Sequence, residues 1–262
     1  MEYEHIRYDL RGTAAWITLD RPSAYNALDI DTAAELSAAI ATAAGEPSIQ
    51  VAVVTGTGRA FCAGGDVRAF HSHVDEAPAY VRELVARVHG ALHLLYEMPV
   101  PVIAAINGPA AGAGLGLAMA TDLAIAGHSA SFTMAYTAIG ATPDAGTTHR
   151  LPQLVGTRRA LEMAITNRTL SATEAMEWGL VNRVVADDDL QREAAAAADV
   201  LASGATSALI AARQLIGASL RTPAAAQLDA EAESIIARAG TEDFREGVAA
   251  FTEKRPPSFP HR

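Results

Sequence analysis

Three glycine-bearing segments carry the residue types that can bind and move charge. They are Phe61-Cys62-Ala63-Gly64-Gly65-Asp66, the run from Asn107 to Gly116, and Thr142-Pro143-Asp144-Ala145-Gly146-Thr147-Thr148. Small residues at a strand-to-helix junction let a ligand approach the backbone and leave N–H groups without partners. One such junction suits an anion at a helix N-terminus. Two together aim a pair of donors at one developing oxyanion. Judged by its neighbours alone, Asp144 is expected to be the N-cap of a helix. Gly112-x-Gly114 also invites a dinucleotide reading. The third glycine of that fingerprint would fall at Leu117, however, and no acidic residue closes a clear second strand about 20 residues on.

The chain that must position these segments has 262 residues, half of them hydrophobic and 19% charged. That suits one α/β domain, or a core with a small appendage, and excludes a disordered or fibrous chain. Thirty acidic against 20 basic residues give a net charge of −10, which argues against a nucleic-acid partner. The single cysteine, Cys62, excludes an internal disulfide and a cysteine-built zinc site. The opening Met1-Glu2-Tyr3-Glu4-His5 is charged and not apolar, so no signal peptide and a cytoplasmic location are expected. Met98 to Thr121 contains no charge and exceeds the ~18 residues that suggest a membrane span. Pro99, Pro101 and Pro109 divide it into a strand, a turn and a buried helix, so no membrane partner is expected.

Short β-rich runs alternate with helical ones in the first part of the chain. Ala14–Leu19, Val51–Thr55, Val100–Ile106 and Asp122–Ala126 are expected strands, and continuous β-branched runs fit a sheet buried on both faces. Helices are expected over Asp31–Ala44, with Asp29 or Asp31 as N-cap, and over Pro78–Tyr96. Strands separated by helices imply a mostly parallel α/β core. The polar stretch from Asp66 to Ala77 is expected to be a mobile loop or a loosely held helix start. After Val185, Asp187-Asp188-Asp189 is expected to cap an Ala-rich helix. Further helices follow over Ser207–Leu220, Pro223–Arg238 and Glu242–Lys254.

Four motifs occur in order along this chain. Leu19-Asp20-Arg21-Pro22 with Asn26-Ala27-Leu28 comes first, then Phe61-Cys62-Ala63-Gly64-Gly65-Asp66-Val67. Ile106-Asn107-Gly108 with Gly112-Ala113-Gly114 follows, and Phe251-Thr252-Glu253-Lys254-Arg255-Pro256-Pro257 closes the chain. Nearly end to end, the sequence resembles the crotonase, or enoyl-CoA hydratase/isomerase, superfamily. The resemblance implies a spiral of ββα units over residues 1–190 and a helical C-terminal trimerisation region over 191–262. It implies a homotrimer or dimer of trimers acting on an acyl-CoA thioester, with no cofactor beyond the coenzyme A of the substrate. Carried over by position, the oxyanion donors are the N–H groups of Gly65 and Ala113. Members commonly have glycine at the latter position, and the Cβ of Ala113 narrows the acyl tunnel. Substrate contacts fall at Ala24, Ala63, Asp66, Val67 and Arg68, and at Tyr136, Phe251 and Lys254.

The resemblance also marks a departure. Hydratases of this superfamily use two glutamates to activate water, and their places here are held by Gly116 and Tyr136. Neither glycine nor a tyrosine with a pKa near ~10 is a good base at neutral pH. A carboxylate stands instead at Asp144, where hydratases usually have glycine. In that respect, and in Phe132-Thr133-Met134-Ala135-Tyr136, the chain resembles the 1,2-epoxyphenylacetyl-CoA isomerases and related enoyl-CoA isomerases. There the equivalent aspartate is the main acid/base, and dehalogenases acting on aryl-CoA place a nucleophilic aspartate at the same point. The resemblance therefore makes Asp144 catalytic and the reaction an isomerisation. A hydratase by another route and an acyl-CoA-binding protein without turnover remain as alternatives. Tyr136 is expected to line the acyl pocket, Asp66 to bond local N–H groups, and Arg68 to reach the CoA phosphates. His71 and His73, with Asp75, are spaced like a metal pair but lack further ligands, so no metal is expected. His149 and Arg150 are expected to be packing or surface groups.

Overall fold

Gly12 takes a φ of 61° between two short runs and turns the chain back on itself. The result is an antiparallel pair of β1 (Ile6–Arg11) and β2 (Ala14–Leu19), with Arg11 opposite Ala14. The structure, a computed structural model, describes residues 3–260, so Met1, Glu2, His261 and Arg262 lie outside it. Helix α1 (Ile30–Gly45) follows, N-capped by Asp29 accepting the Thr32 N–H at 2.9 Å. Then come β3 (Val51–Gly56), α2 (Val67–Ser72), α3 (Ala77–Tyr96) and β4 (Val102–Ile106). The two-residue β5 (Ala110–Ala111) leads into α4 (Ala113–Met119), β6 (Leu123–Gly127) and β7 (Ser131–Thr133). Next are α5 (Thr147–Val155), α6 (Thr157–Thr166), β8 (Leu170–Ser171), α7 (Ala172–Glu177) and β9 (Arg183–Val185). The chain closes with α8 (Leu190–Ala202), α9 (Thr206–Ser219), α10 (Ala224–Ala239) and α11 (Glu242–Glu253).

The six-stranded sheet has the order β1-β2-β3-β4-β6-β9 and is parallel beyond its first pair, as the buried β-branched runs require. A small second sheet has the order β5-β7-β8. Alternate residues of the main strands face two separate cores. Ile17, Val54 and Ala104 pack with Leu36, Ile40, Leu92 and Leu95 of α1 and α3. Trp16, Val53 and Ile103 pack against Leu190, Ala194 and Ala198 of α8. The expected boundary at residue 190 thus falls at the start of a helix that covers the sheet. Among the longer helices the loss of burial begins at α9, which buries no residue; α10 has none either, and α11 buries only Asp243 and Ala250.

Two local expectations need correction. The stretch after Asp66 is ordered as α2 and a 3-10 turn at Val74–Glu76, because the Asp66 carboxylate caps α2. The acidic triplet forms a 3-10 turn but caps nothing with its side chains. Asp189 pairs with Arg192 at 2.9 Å and Asp187 accepts the Ser129 N–H at 2.9 Å. Among the described residues no single helix is long and apolar enough to cross a membrane.

Candidate active site

The first two glycine segments are stitched together by their backbones. Ala111 N–H donates to Cys62 O at 2.9 Å, and Cys62 N–H to Pro109 O at 3.1 Å. Side chains would break this contact: a Cβ on Gly114 would lie 2.1 Å from Cys62 O, and one on Gly64 would lie 2.7 Å from Ala111 O and 3.3 Å from Ala113 N. Glycine is required at both points for close approach. Bonds from Leu28 N–H to Gly64 O (2.7 Å) and from Asp66 N–H to Leu28 O (2.9 Å) bracket Gly65 and leave its own N–H outside the ladder. Ala113 opens α4, so its N–H is a first-turn donor without an intrahelical partner. Gly65 and Ala113 therefore stand on two segments in direct contact, each with a donor to offer an oxyanion.

The loop before them is locked by one arginine. Arg21 binds Asp66 at 2.7 Å and Asp29 at 3.0 Å, so a single guanidinium joins the N-caps of α1 and α2. Asp66 is buried, and its other oxygen accepts the N–H groups of Arg68 (2.9 Å) and Ala69 (3.3 Å). Its carboxylate is thus committed to holding the segment, as expected from its local N–H groups. Asn26, buried in a left-handed conformation, accepts the Arg21 N–H and donates to Thr57 O and Ala60 O. Ala63 N–H donates to Tyr25 O at 3.1 Å, which sets Ala24 and Ala63 on one rim. Val67 and Arg68 are exposed on the first turn of α2. Phe70, from the same helix, lies so close to Gly65 that a Cβ there would be 2.7 Å from its ring.

The third segment supplies the carboxylate. Asp144 is not an N-cap: α5 begins at Thr147 after Gly146, with no side-chain cap. Instead its Oδ1 accepts the Tyr136 hydroxyl at 2.6 Å, so Tyr136 is more than a pocket wall. Burial, and then the negative charge of Asp144, raise the Tyr136 pKa above the ordinary tyrosine value. The phenol therefore stays protonated and donates; it is no base. His89 of α3 completes the cluster. Its Nε2 lies 3.2 Å from the Ala145 nitrogen as acceptor of that N–H, and 4.0 Å from Asp144 Oδ2. Nothing in the sequence marks His89, since it sits beside the apolar stripe of a long helix and meets Asp144 only through the fold.

The packing of Ala145 leaves no room for a side chain at Gly116. A Cβ on Gly116 would lie 2.5 Å from Ala145 O and 2.7 Å from Ala145 Cβ. The Asp144 turn occupies the space into which a side chain at 116 would project. Tyr136 also borders the second segment, 3.7 Å from where a Cβ of Gly112 would be. The Asp144 turn and the two glycine segments thus form one continuous surface, on which Asp144 is a carboxylate outside the Arg21 and N-cap bonds that hold Asp66.

These features coincide with what the chain resembles. The family model for enoyl-CoA hydratase/isomerase matches residues 10–262. The chain belongs to the enoyl-CoA hydratase/isomerase family. It is 43% identical, over the full length of both chains, to a probable enoyl-CoA hydratase of Rhodobacter capsulatus. It is 36% identical to a 1,2-epoxyphenylacetyl-CoA isomerase of Escherichia coli, covering 93% of each. The crystal structure of an enoyl-CoA hydratase from Bacillus anthracis superposes with a TM-score of 0.93 at 34% identity, covering 99% of this chain and 100% of that one. The crotonase spiral and its C-terminal helices are therefore the fold of this chain.

Other expected site residues lie apart from the Asp144 cluster. Phe251, 88% exposed, lies in α11, which packs on α10, and Lys254 is the left-handed residue that ends that helix. Cys62 is fully buried and burial pushes its thiol up to about 12, so it is no thiolate nucleophile. His73 stacks on Tyr80 and its Nδ1 lies 2.8 Å from Ala69 O. Arg150 donates to Met119 O, a packing role as expected.

Proposed function

We propose that this member of the family is an acyl-CoA isomerase, in which Asp144 carries a proton from one carbon of the acyl chain to another. The observation that carries the reading is the Asp144 carboxylate, bonded by Tyr136 and packed where a hydratase glutamate would project, whereas the neighbouring Asp66 is taken up by Arg21 and the N-cap of α2. On a 3-enoyl thioester, Asp144 takes a proton from the carbon next to the carbonyl. The charge moves to the thioester oxygen, where the N–H groups of Gly65 and Ala113 stabilise it; one such donor is worth about 10²–10³ in rate. The same carboxyl returns the proton two carbons further along, so the double bond moves and no water is consumed. A rearranging aryl-acetyl-CoA ring needs the same parts. Hydration needs a second group to hold water, and Tyr136, kept protonated, does not supply a base.

The reading extends to binding and assembly. The substrate carries its own coenzyme A, so no further cofactor is required. Ala24, Ala63, Val67 and Arg68 form the rim that receives it. The exposed apolar side chains of α9 to α11, among them Ile216, Ile235, Ile236 and Phe251, support a homotrimer or dimer of trimers. In that assembly Phe251 and Lys254 contribute to CoA binding.

The test is a pair of assays on one purified sample, each followed at the conjugated thioester. Conjugation that grows from a 3-enoyl-CoA, without loss from a 2-enoyl-CoA, is the expected result. Rapid loss of conjugation from the 2-enoyl ester would overturn the isomerase reading in favour of hydration. Silence from both, with CoA esters still bound, would favour a binding protein.

A further inference from the structure

We infer that His89 is a positioning residue, which as a neutral imidazole accepts the Ala145 N–H at Nε2 and so fixes the backbone that aims Asp144. The inference rests on the reading of Asp144 as the acid/base and assigns His89 no proton-transfer step of its own.

The distances separate the two roles. Nε2 stands 3.2 Å from the Ala145 nitrogen but 4.0 Å from Asp144 Oδ2, beyond hydrogen-bond reach. Accepting an N–H requires a lone pair, which places the ring proton on Nδ1. A proton on Nε2 would set donor against donor and release Ala145.

Ala145 is where such a restraint matters. It is 1% exposed, so water does not reach its amide, and a buried N–H needs a protein partner. Its φ of 51° is left-handed, a conformation that persists in a non-glycine residue only where the surroundings over-determine it. Three restraints converge there. Thr147 gives its N–H (3.0 Å) and hydroxyl (2.7 Å) to Asp144 O, Gly116 receives the Ala145 methyl, and His89 takes the intervening N–H. His89 is itself carried by a 20-residue helix, with neighbours Val88 and Leu92 buried in the core. A carboxylate that removes a proton at one carbon and returns it at another must be held within reach of both, so its placement contributes to rate.

Two readouts test this on the full chain. In protein labelled with ¹⁵N-histidine, the His89 signal, assigned by its loss in H89Q, should show Nε2 unprotonated and Nδ1 protonated at neutral pH. A protonated Nε2 would overturn the inference, and this readout does not depend on the reaction. In kinetics, H89A should lose at least tenfold in kcat with KM changed less than twofold, and remain folded by thermal melting. H89Q, whose side-chain oxygen can stand where Nε2 was but cannot titrate as a base, should regain most of that loss. Equal defects in H89A and H89Q would make His89 an acid/base group, and no defect in either would remove its role; both overturn the inference. If the wild type does not isomerise at all, the reading of Asp144 fails, while the nitrogen signals still decide what His89 does.

Discussion

The turn around Asp144 and the last three helices are built in opposite ways. At the turn, Ala135 and Ala145 hold left-handed backbone at φ 59° and 51°, and the side chains of Tyr136, of His89 in α3 and of Thr147 in α5 tie the intervening groups. In α9 to α11 the backbone is regular helix, yet almost no residue is buried. Among the described residues, four of the six buried side-chain atoms that lack a hydrogen-bond partner, on Thr206, Ser207, Gln227 and Asp243, lie in this last part of the chain. An apolar cavity of about 360 Å³ also opens there, between Phe244, Val248, Phe251 and Phe259. Left-handed backbone is held where many local bonds converge, and the C-terminal helices are regular but largely exposed. The proposed chemistry thus needs only groups within one chain, and the proposed assembly would draw on the exposed C-terminal helices.

That contrast can be broken by substitution. Asp144→Asn should produce the largest effect, a fall in kcat on the order of 10³ with CoA-ester affinity nearly unchanged in a direct binding titration. A matching loss of affinity would mean that Asp144 holds substrate and does not transfer a proton. Gly116→Ala comes next, because its methyl meets the Ala145 carbonyl at 2.5 Å. Overpacking of this kind costs about 1–3 kcal/mol, and a urea unfolding series should detect it. If Gly116→Ala unfolds like the wild type, the turn is softer than described. Tyr136→Phe removes one donor from Asp144 and should lower kcat roughly tenfold, or about 1.4 kcal/mol, with KM little changed. The smallest effect on folding belongs to Phe251→Ser. A side chain already 88% exposed should shift the melting temperature of the isolated protomer by less than that of either core variant. The same change should shift sedimentation toward smaller species, and an unchanged sedimentation profile would remove Phe251 from the assembly surface.

The sequence carries the architecture unevenly. Buried parallel strands are legible because β2, β3, β4 and β6 must be apolar on both faces, and their runs stand out from polar helix surfaces. Strand β1 is not, since Ile6-Arg-Tyr-Asp-Leu-Arg has one solvated face and a single sheet neighbour. The two-residue strands β5 and β8 are too short to have a pattern at all. At the candidate site, the glycine segments and Asp144 stand out through motif order. Tyr136 is legible as a position but not as a donor, because its hydroxyl reaches Asp144 only once the 3-10 turn at Thr137–Ile139 folds the segment back. His89 is invisible, since its partner Ala145 lies 56 residues away and only helix packing brings them together. An aspartate that caps a helix and one that bonds a distant side chain look alike in one dimension; what separates them is which donor the carboxylate meets.

The most direct test of the central claim is the mass of the product formed from a 3-enoyl-CoA in ¹⁸O-labelled water and, separately, in deuterium oxide. Proton carriage by Asp144 predicts a conjugated product with the substrate's own elemental composition, no ¹⁸O, and at most exchanged deuterium on the acyl carbons. A product heavier by one labelled water would contradict it and place a water-activating group in this site.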